Sequence, residues 1–278
     1  MKLYISDLDG TLLNSEQRIS EYSKQIINSL IENGVNFTIA TARSLEATKK
    51  IIDGLNLNLP IILNNGVFIY DVNKKRNVVE HFIDKFAYKA LIEYIKLKGL
   101  SPFISTKLMD RYRVYYSGIH NYGEQDYVEG RVKNGDKRFT LSKDYSECGG
   151  ENVVCISLID EEDKLLPIYN YLKNEFDLQY HFARDIYSNF YWLEITNKYG
   201  NKRQAVKYLK RYIGADKLVC FGDNLNDSPM FEESDEKYAV KNANQALKKM
   251  ATAVIGSNEE DAIANFIKAD NAGDSPIK

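Results

Sequence analysis

The sequence is poor in the residues that build disulfide-linked or metal-held scaffolds. Its three cysteines, Cys148, Cys155 and Cys220, are far apart and form no CxxC pair. An odd number of cysteines without paired spacing argues against a disulfide framework and against a zinc cluster. Cys155 and Cys220 stand in apolar, strand-like runs, so we expect them to be core residues. The three histidines are equally scattered and are expected to be structural.

The chain also lacks a strong charge and a long apolar run. Lysine and arginine number 37 and aspartate and glutamate 39, a formal net charge of −2. The chain therefore lacks the excess of basic residues that would indicate a nucleic acid or an anionic membrane as a partner. No apolar run approaches the roughly 18 residues that span a bilayer, and the first residues enter a strand directly, unlike a secretory signal. We expect a cytoplasmic protein that binds neither nucleic acid nor membrane.

The chemistry begins in the opening stretch, KLYISDLDGTLL, which covers residues 2–13. Leu3 and Ile5 alternate in a short apolar run that is typical of a buried strand. The run stops at two carboxylates, Asp7 and Asp9. Carboxylates are costly at the end of a buried strand, and ligands of open α/β sheets bind beyond the carboxyl ends of the strands. This stretch is therefore the first candidate site.

The Asp-Leu-Asp-Gly sequence has two plainer interpretations. Aspartate and glycine are favoured turn residues, so the motif alone predicts no more than a turn. A calcium-binding EF-hand loop has its glycine at the sixth position and lies between helices, whereas Gly10 is fourth counting from Asp7 and follows a strand. The calcium interpretation ranks below the turn, and partner residues elsewhere in the chain must decide.

Strands and helices alternate through the first and last parts of the chain. Apolar alternation predicts strands at 35–39, 60–63, 218–221, 238–240 and 253–255. Amphipathic patterns predict a helix at 19–33 with Ser20 as its N-cap, another that ends near Leu55, and others at 202–213, 244–250 and 259–268. This alternation favours an α/β fold with a doubly wound, Rossmann-like parallel sheet.

A different pattern interrupts the alternation in the middle of the chain. From about residue 84 onward come a helix, a tyrosine-rich stretch with mixed strand signals, and further strand and helix segments. They indicate an α+β domain inserted into the first domain. We predict a discontinuous core domain of residues 1–82 and 190–270, an inserted domain of residues 83–189, and a flexible tail of residues 271–278.

Polar residues stand at the ends of four predicted strands. They are Asp7 with Asp9, Thr41, Asn65, and the group Asp223, Asn226 and Asp227. Because the carboxyl ends of parallel strands share one edge of a sheet, we expect these distant residues to converge. Four carboxylates repel one another, and the single ammonium group of Lys202 cannot balance them. A divalent cation can, and ligation by oxygen alone suits Mg²⁺ better than zinc.

The residue types at this edge match the needs of phosphoryl transfer. A carboxylate beside Mg²⁺ is a nucleophile that forms an acyl-phosphate. A second carboxylate two residues further on can protonate the leaving oxygen and then activate water. A hydroxyl and an ammonium group can hold the phosphoryl oxygens, where positioning and charge do most of the work.

These residues resemble the four motifs of the haloacid dehalogenase-like hydrolase superfamily. The matches are DLDGT at 7–11, Thr41, Lys202 and GDNLND at 222–227. Any one motif is weak, but four in order at strand ends are specific. The chain is similar in particular to the Cof-type phosphatases, whose C2B cap lies between the second and third motifs, as the inserted domain does here. The resemblance extends over nearly the whole chain.

The resemblance implies a role for each matched residue. Asp7 is the nucleophile and Asp9 the general acid/base. Asp7, the main-chain carbonyl of Asp9, and Asp223 are the ligands of Mg²⁺. Thr41 and Lys202 hold the phosphoryl group, and Lys202 also orients Asp7.

The resemblance also implies which residues line the binding site for the substrate and its phosphate. They are Gly10, Arg43, Asn65, Gly66 and Asn226. Asp227 is expected to contact the site residues without touching the substrate. Two assignments keep an alternative, since Arg43 is as readily a partner in a surface ion pair, and Asn65-Gly66 is also an ordinary turn signal.

The sequence departs from the family at two motifs. Ala42 stands where Thr-Gly-Arg has its glycine, and Asn201 and Arg203 flank Lys202 where Ser-Lys-Gly is common. Neither change removes a reacting group. The chemistry therefore carries over more safely than the identity of the substrate.

The sequence predicts a Mg²⁺-dependent phosphatase of small phosphomonoesters, and the resemblance implies sugar phosphates as the substrate class. We expect a monomer, because no interface is evident in the sequence. Two alternatives stay open. A phosphotransferase or phosphomutase uses the same scaffold, and its turnover depends on an acceptor. A catalytically silent regulatory protein only binds phosphate, and release of phosphate excludes it.

Overall fold

The computed structural model describes residues 1–133, 135–185 and 188–274 and divides the chain into two compact units. One unit comprises residues 1–80 and the chain from Gly200 onward, and the other comprises residues 81–199. The strands are β1 (Lys2–Ser6), β2 (Asn36–Ile39), β3 (Ile61–Leu63), β4 (Phe68–Asp71), β5 (Arg76–Glu80), β6 (Phe103–Leu108), β7 (Arg111–Tyr116), β8 (Phe139–Leu141), β9 (Asn152–Asp160), β10 (Leu178–Arg184), β11 (Tyr191–Asn197), β12 (Lys217–Gly222), β13 (Glu236–Ala239) and β14 (Ala253–Val254). The helices are α1 (Glu21–Glu32), α2 (Leu45–Lys49), α3 (Lys85–Leu97), α4 (Tyr122–Lys133), α5 (Glu162–Glu175), α6 (Lys202–Ile213), α7 (Ser228–Glu233), α8 (Gln245–Met250) and α9 (Ala262–Ala272).

The first unit is built on a parallel sheet in the order β14-β13-β12-β1-β2. Strand β3 meets the β2 edge through a parallel bridge between Ala40 and Ile62, and it continues into the antiparallel pairs β3-β4 and β4-β5. Leu3 and Ile5 are fully buried, as expected of a parallel sheet covered on both faces. The α/β core predicted from the sequence is confirmed.

Local hydrogen bonds define the start of α1 and hold the segment that follows α2. The Ser20 side chain accepts from the main-chain N–H of Ser23 at 2.9 Å, which confirms the predicted N-cap of α1. Helix α2 stops at Lys49, well before the predicted end near Leu55. The following segment is held by Asn28, whose side chain donates to the Gly54 carbonyl at 2.8 Å and accepts from Asn56 N at 2.8 Å.

The second unit is the predicted α+β domain. Its sheet has the order β10-β11-β9-β6-β7-β8 and is antiparallel except for the pair β7-β8. Helices α3 and α5 bury residues such as Leu91 and Leu165 against one face. On the other face Val128 of α4 packs with Phe103 and Ile159. Helix α4 lies in the tyrosine-rich stretch and was not predicted, because its few apolar residues form no continuous stripe.

The predicted return to the core at residue 190 is wrong. Strand β11 pairs with both β9 and β10, and Leu193 lies opposite Leu158 and Phe182 in this sheet. An apolar alternation predicts a strand but does not say which sheet the strand joins. The predicted tail also begins too early, since α9 continues to Ala272. Residues 275–278, the rest of that predicted tail, lie outside the described residues.

None of the helices in residues 1–133, 135–185 and 188–274 combines the length and apolar character that a bilayer crossing needs. Cys148, Cys155 and Cys220 are free thiols.

An acidic residue of the last helix ties that helix to the first strand. Asp270 accepts from the Lys2 ammonium group at 2.7 and 2.8 Å and from the Tyr4 hydroxyl at 2.5 Å. Burial acts to raise the pKa of Asp270, but the bonds from Lys2 and Tyr4 outweigh it, and the pKa lies below its ordinary value. The charged form is therefore the one that stabilises the fold.

We expect Asp270→Asn to lower the free energy of unfolding by about 1 to 2 kcal/mol at neutral pH, because hydrogen bonds to a charged carboxylate are lost. The contribution is present above the unfolded pKa of about 4 and disappears as the pH falls through the lower folded pKa. Urea denaturation as a function of pH measures both effects. Asp177→Asn, which removes an exposed pair with Lys198, is the control and should change stability by less than about 0.5 kcal/mol.

Candidate active site

Strand β1 ends in a tight turn that buries Asp7 and leaves Asp9 at the surface. The main-chain N–H of Asp7 donates to Phe221 O at 3.0 Å, so Asp7 still belongs to the ladder between β1 and β12. Asp7 is buried, whereas the Asp9 side chain is 49% exposed. Directly after Asp9 the chain turns at Gly10, which has a left-handed conformation with φ of 70°.

Gly10 allows this turn to approach Asp223 at the end of β12. A Cβ atom at Gly10 would lie 2.4 Å from Asp223 Oδ2. Thr11 Oγ1 donates to Asp223 Oδ1 at 3.4 Å. Asn242 Nδ2 donates to the Gly10 carbonyl at 2.7 Å, and Asn244 N donates to the Asp223 carbonyl at 2.7 Å. These contacts hold the loop after β1 against the loops that follow β12 and β13.

Asp227 is a buried anchor for the loop that carries Asp223. Its Oδ2 accepts from the main-chain N–H groups of Asp223 at 3.0 Å and Asn224 at 3.2 Å. Gly222 lies so close that a Cβ atom there would be 2.6 Å from the same oxygen. The Asn224 side chain caps the turn that follows, and Asn226 lies half-buried within that turn.

Lys202 connects two of these carboxylates. It is the first residue of α6, and the Asn201 side chain caps that helix. Its Nζ donates to Asp7 Oδ1 and to Asp227 Oδ1, each at 2.6 Å, and its side chain has no solvent exposure. A buried ammonium group is tolerated only when it is paired. Lys202 therefore fixes Asp7 and Asp227 in one arrangement.

The carboxylates at this edge outnumber the positive charges. Burial raises the pKa of Asp7, and the Asp227 charge adds to the effect while Lys202 opposes it. Burial, assisted by Asp227, raises the pKa of Asp223 to about 7. Burial also acts to lower the pKa of Lys202, but Asp227 and Asp7 outweigh it and the pKa lies above its ordinary value. Three carboxylates share one ammonium group, so the site favours further positive charge.

The donor set fits a divalent cation. Asp7, Asp223 and Asp227 each offer an oxygen, and these three oxygens lie within 4.8 Å of one another. Asp227 is already bound to Lys202 and to two N–H groups, so Asp7 and Asp223 are the better ligands. Carboxylate oxygens are the ligands that Mg²⁺ prefers, and a divalent cation supplies the charge that this cluster lacks.

The Asp9 carboxylate points to Arg43 instead of joining this cluster. Arg43 Nε donates to Asp9 Oδ2 at 2.8 Å, and Nη2 donates to Oδ1 at 2.5 Å. The structure thus places Arg43 in an ion pair, the alternative to substrate contact that the sequence left open. The side chain of Asp9 is engaged in this pair, which leaves its main-chain carbonyl as the group that Asp9 can offer to a metal.

Thr41 and Asn65 meet at the ends of β2 and β3. Asn65 N donates to the Thr41 carbonyl at 2.9 Å, and the buried Thr41 Oγ1 accepts from Arg43 N at 3.1 Å. Asn65 Oδ1 is buried and has no hydrogen-bond partner among the described residues. Gly66 passes so near Asn201 that a Cβ atom would lie 2.3 Å from the Asn201 carbonyl. An unsatisfied buried amide beside this edge is a place where a ligand can bind.

Sequence reasoning missed two residues that support the predicted ones. Asn242 holds the Gly10 carbonyl, and Gln17 accepts from Arg43 Nη2 at 3.2 Å. Asn242 follows β13, so the strand-end rule that singled out Thr41 could have found it. Gln17 lies in a loop, with φ of 56°, and carries no comparable signal.

The sequence matches the haloacid dehalogenase-like hydrolase family over residues 4–267. A similar protein is 5-amino-6-(5-phospho-D-ribitylamino)uracil phosphatase YwtE from Bacillus subtilis strain 168. The two chains are 31% identical over 288 residues, which cover 96% of this chain and 97% of the relative.

Solved structures show the same fold. A haloacid dehalogenase-like hydrolase from B. subtilis has a TM-score of 0.79 at 22% identity and covers 96% of this chain and 99% of its own. A protein from Thermotoga maritima has a TM-score of 0.76 at 25% identity and covers 96% of each chain. The likeness therefore includes the inserted domain.

We expect Gly10→Ala to reduce catalytic activity by at least about 10²-fold, because the added methyl group displaces Asp223. Steady-state kinetics and Mg²⁺ titration by calorimetry measure the loss. Gly34→Ala is the control, since Gly34 also has a positive φ of 84° but nothing lies within 4 Å of its added Cβ. It should cost about 1 to 2 kcal/mol of stability and leave activity unchanged. Equal activity in both variants would contradict the Gly10–Asp223 contact.

We expect Lys202→Met to lower the free energy of unfolding by about 3 to 5 kcal/mol, because it leaves buried carboxylates without their counter-charge. In EDTA the loss should be larger at about pH 8 than at about pH 5, because carboxyl groups with raised pKa values stabilise the folded state only while protonated. Lys210 lies on the same helix as Lys202 and pairs at the surface with Asp235, so Lys210→Met should cost less than about 1 kcal/mol. A pH-independent loss would refute the charge argument.

Proposed function

The chain belongs to the haloacid dehalogenase-like hydrolases and is a phosphatase, and we propose that it hydrolyses small phosphomonoesters with Mg²⁺ through an aspartyl-phosphate on Asp7. The observation that carries this proposal is the buried contact of Lys202 with Asp7 and Asp227 beside Asp223. This contact fixes the orientation of the Asp7 carboxylate and places the positive charge of Lys202 beside it.

The reaction has two displacement steps. A carboxylate oxygen of Asp7 attacks phosphorus, the bond to the leaving oxygen breaks, and Asp9 gives that oxygen a proton. Asp9 then takes a proton from water, the water oxygen attacks phosphorus, and the bond to Asp7 breaks. Inorganic phosphate leaves, Asp7 is again a carboxylate, and Asp9 is again the protonated acid with which the cycle began.

Two other residues position the transferred group. Lys202 orients Asp7 through Oδ1 and places a positive charge where phosphoryl oxygens gather. Thr41, buried at the end of β2, offers a hydroxyl beside the same edge. Both hold the phosphoryl group while Asp7 is bonded to it.

Mg²⁺ would be held by Asp7, the Asp9 carbonyl and Asp223, and when bound it polarises the phosphoryl group and neutralises developing charge. The fit is supported by the surplus of carboxylates over ammonium groups. Asp227 is excluded from this set because Lys202 and two N–H groups occupy it.

A phosphorylated sugar or a sugar-derived chain is the proposed substrate class. The Bacillus subtilis relative is named as a phosphatase of a 5-phospho-D-ribityl compound, which supports a polyol phosphate here. An identity of 31% supports a shared reaction more strongly than a shared substrate. The departures from the family motifs at Ala42, Asn201 and Arg203 remove no reacting group, so they also bear on the substrate rather than on the reaction.

The test is phosphate release from a panel of phosphomonoesters, sugar phosphates included, with Mg²⁺ and with EDTA. We expect metal-dependent release that falls by at least about 10³-fold in Asp7→Asn. Asp53→Asn, a change at an exposed aspartate, serves as the control and should match the wild type. Release that survives in Asp7→Asn would rule out the nucleophile assignment, and release that requires an added alcohol acceptor would identify a transferase.

A further inference from the structure

The contact between Arg43 and Asp9 has the geometry of a clamp. The guanidinium donates through Nε and Nη2 to the two different oxygens of the carboxylate. A two-point contact of planar groups fixes the rotation of the carboxylate as well as its position. One hydrogen bond, or a lysine in place of arginine, would leave that rotation free.

Arg43 is itself held in place from both sides. Its main-chain N–H donates to Thr41 Oγ1 at 3.1 Å, and its carbonyl accepts from Asn64 N at 3.0 Å. At the other end, Nη2 also donates to Gln17 Oε1 at 3.2 Å. The guanidinium is therefore fixed by the strand end behind it and by the Gln17 loop in front of it.

We propose that Arg43 is a positioning residue that aims the Asp9 carboxylate for proton transfer, and that Gln17 holds Arg43 in place. This inference rests on the proposed function and refines it. The Arg43 guanidinium donates three hydrogen bonds to Asp9 and Gln17. It therefore acts on the acid/base residue rather than on the phosphoryl group.

The proposal predicts a defect that depends on the step. Attack on p-nitrophenyl phosphate expels a leaving group that is stable without a proton, so formation of the aspartyl-phosphate does not need Asp9. Its hydrolysis does need Asp9, because a proton must leave the attacking water. An enzyme with a misaimed Asp9 should therefore form the intermediate and then stall.

The experiment is stopped-flow release of p-nitrophenolate with Mg²⁺, beside steady-state release of phosphate from a sugar phosphate. Arg43→Met should give a burst of about one equivalent per enzyme, followed by turnover about 10- to 10²-fold slower than in the wild type. Asp9→Asn should show the same pattern more strongly. Gln17→Ala should show it more weakly. KM for the sugar phosphate should change little while kcat falls.

Arg18→Met is the matched control. Arg18 is an exposed arginine one residue from Gln17 and pairs with Glu16, so its loss should leave both phases as in the wild type. Arg43→Lys keeps the charge without the two-point contact and should still show the burst. This variant preserves the test if Arg43→Met does not fold.

Three results would overturn the assignment. A slower burst with a raised KM would show that Arg43 binds the substrate. Unchanged kinetics in both Arg43 variants would show that the clamp is only structural. If the wild type releases no phosphate, or Asp7→Asn releases it equally well, the proposed function fails and the role of Arg43 falls with it.

Discussion

The buried ammonium group of Lys202 between Asp7 and Asp227 is the contact on which the candidate site depends. Burying such charges costs several kcal/mol per ion, and only close, well-aligned partners offset that cost. Both contacts are 2.6 Å long, and the second oxygen of Asp227 is bound by two main-chain N–H groups. Asp227 is therefore satisfied by the protein alone. The shortage of positive charge falls on Asp7 and Asp223, which is where a cation is expected.

The sheet determines that these charges meet. Ser6 lies opposite Phe221 on one side and Ile39 on the other, so the three strands end in line. Backbone segments then come closer than side chains would permit. A Cβ atom at Gly10 would lie 2.4 Å from a carboxylate oxygen of Asp223, and a Cβ atom at Gly222 would lie 2.6 Å from one of Asp227. Glycine at these two positions is thus a requirement of the charge cluster as much as of the turns.

The sequence predicted those parts of the molecule that follow from periodicity and from sheet topology. Asp7, Thr41 and Asp223 could be placed on one edge because parallel strands end together. The inserted sheet could be recognised, but β11 could not be assigned to it, since alternation along one strand carries no information about its neighbours. The pairing of Arg43 with Asp9 was equally out of reach. It depends on side-chain directions at two loops 34 residues apart.

The two aspartates of the DLDGT motif lie in environments that suit the two different roles proposed for them. Asp7 is buried and bound through one oxygen to a fixed ammonium group, an environment that restricts it to a single orientation. Asp9 is about half exposed, and a guanidinium with access to solvent holds it. A nucleophile must be held in line with phosphorus, whereas an acid/base must exchange protons with substrate and water. Carboxylates placed in different environments take different roles, and here a turn of two residues creates that difference.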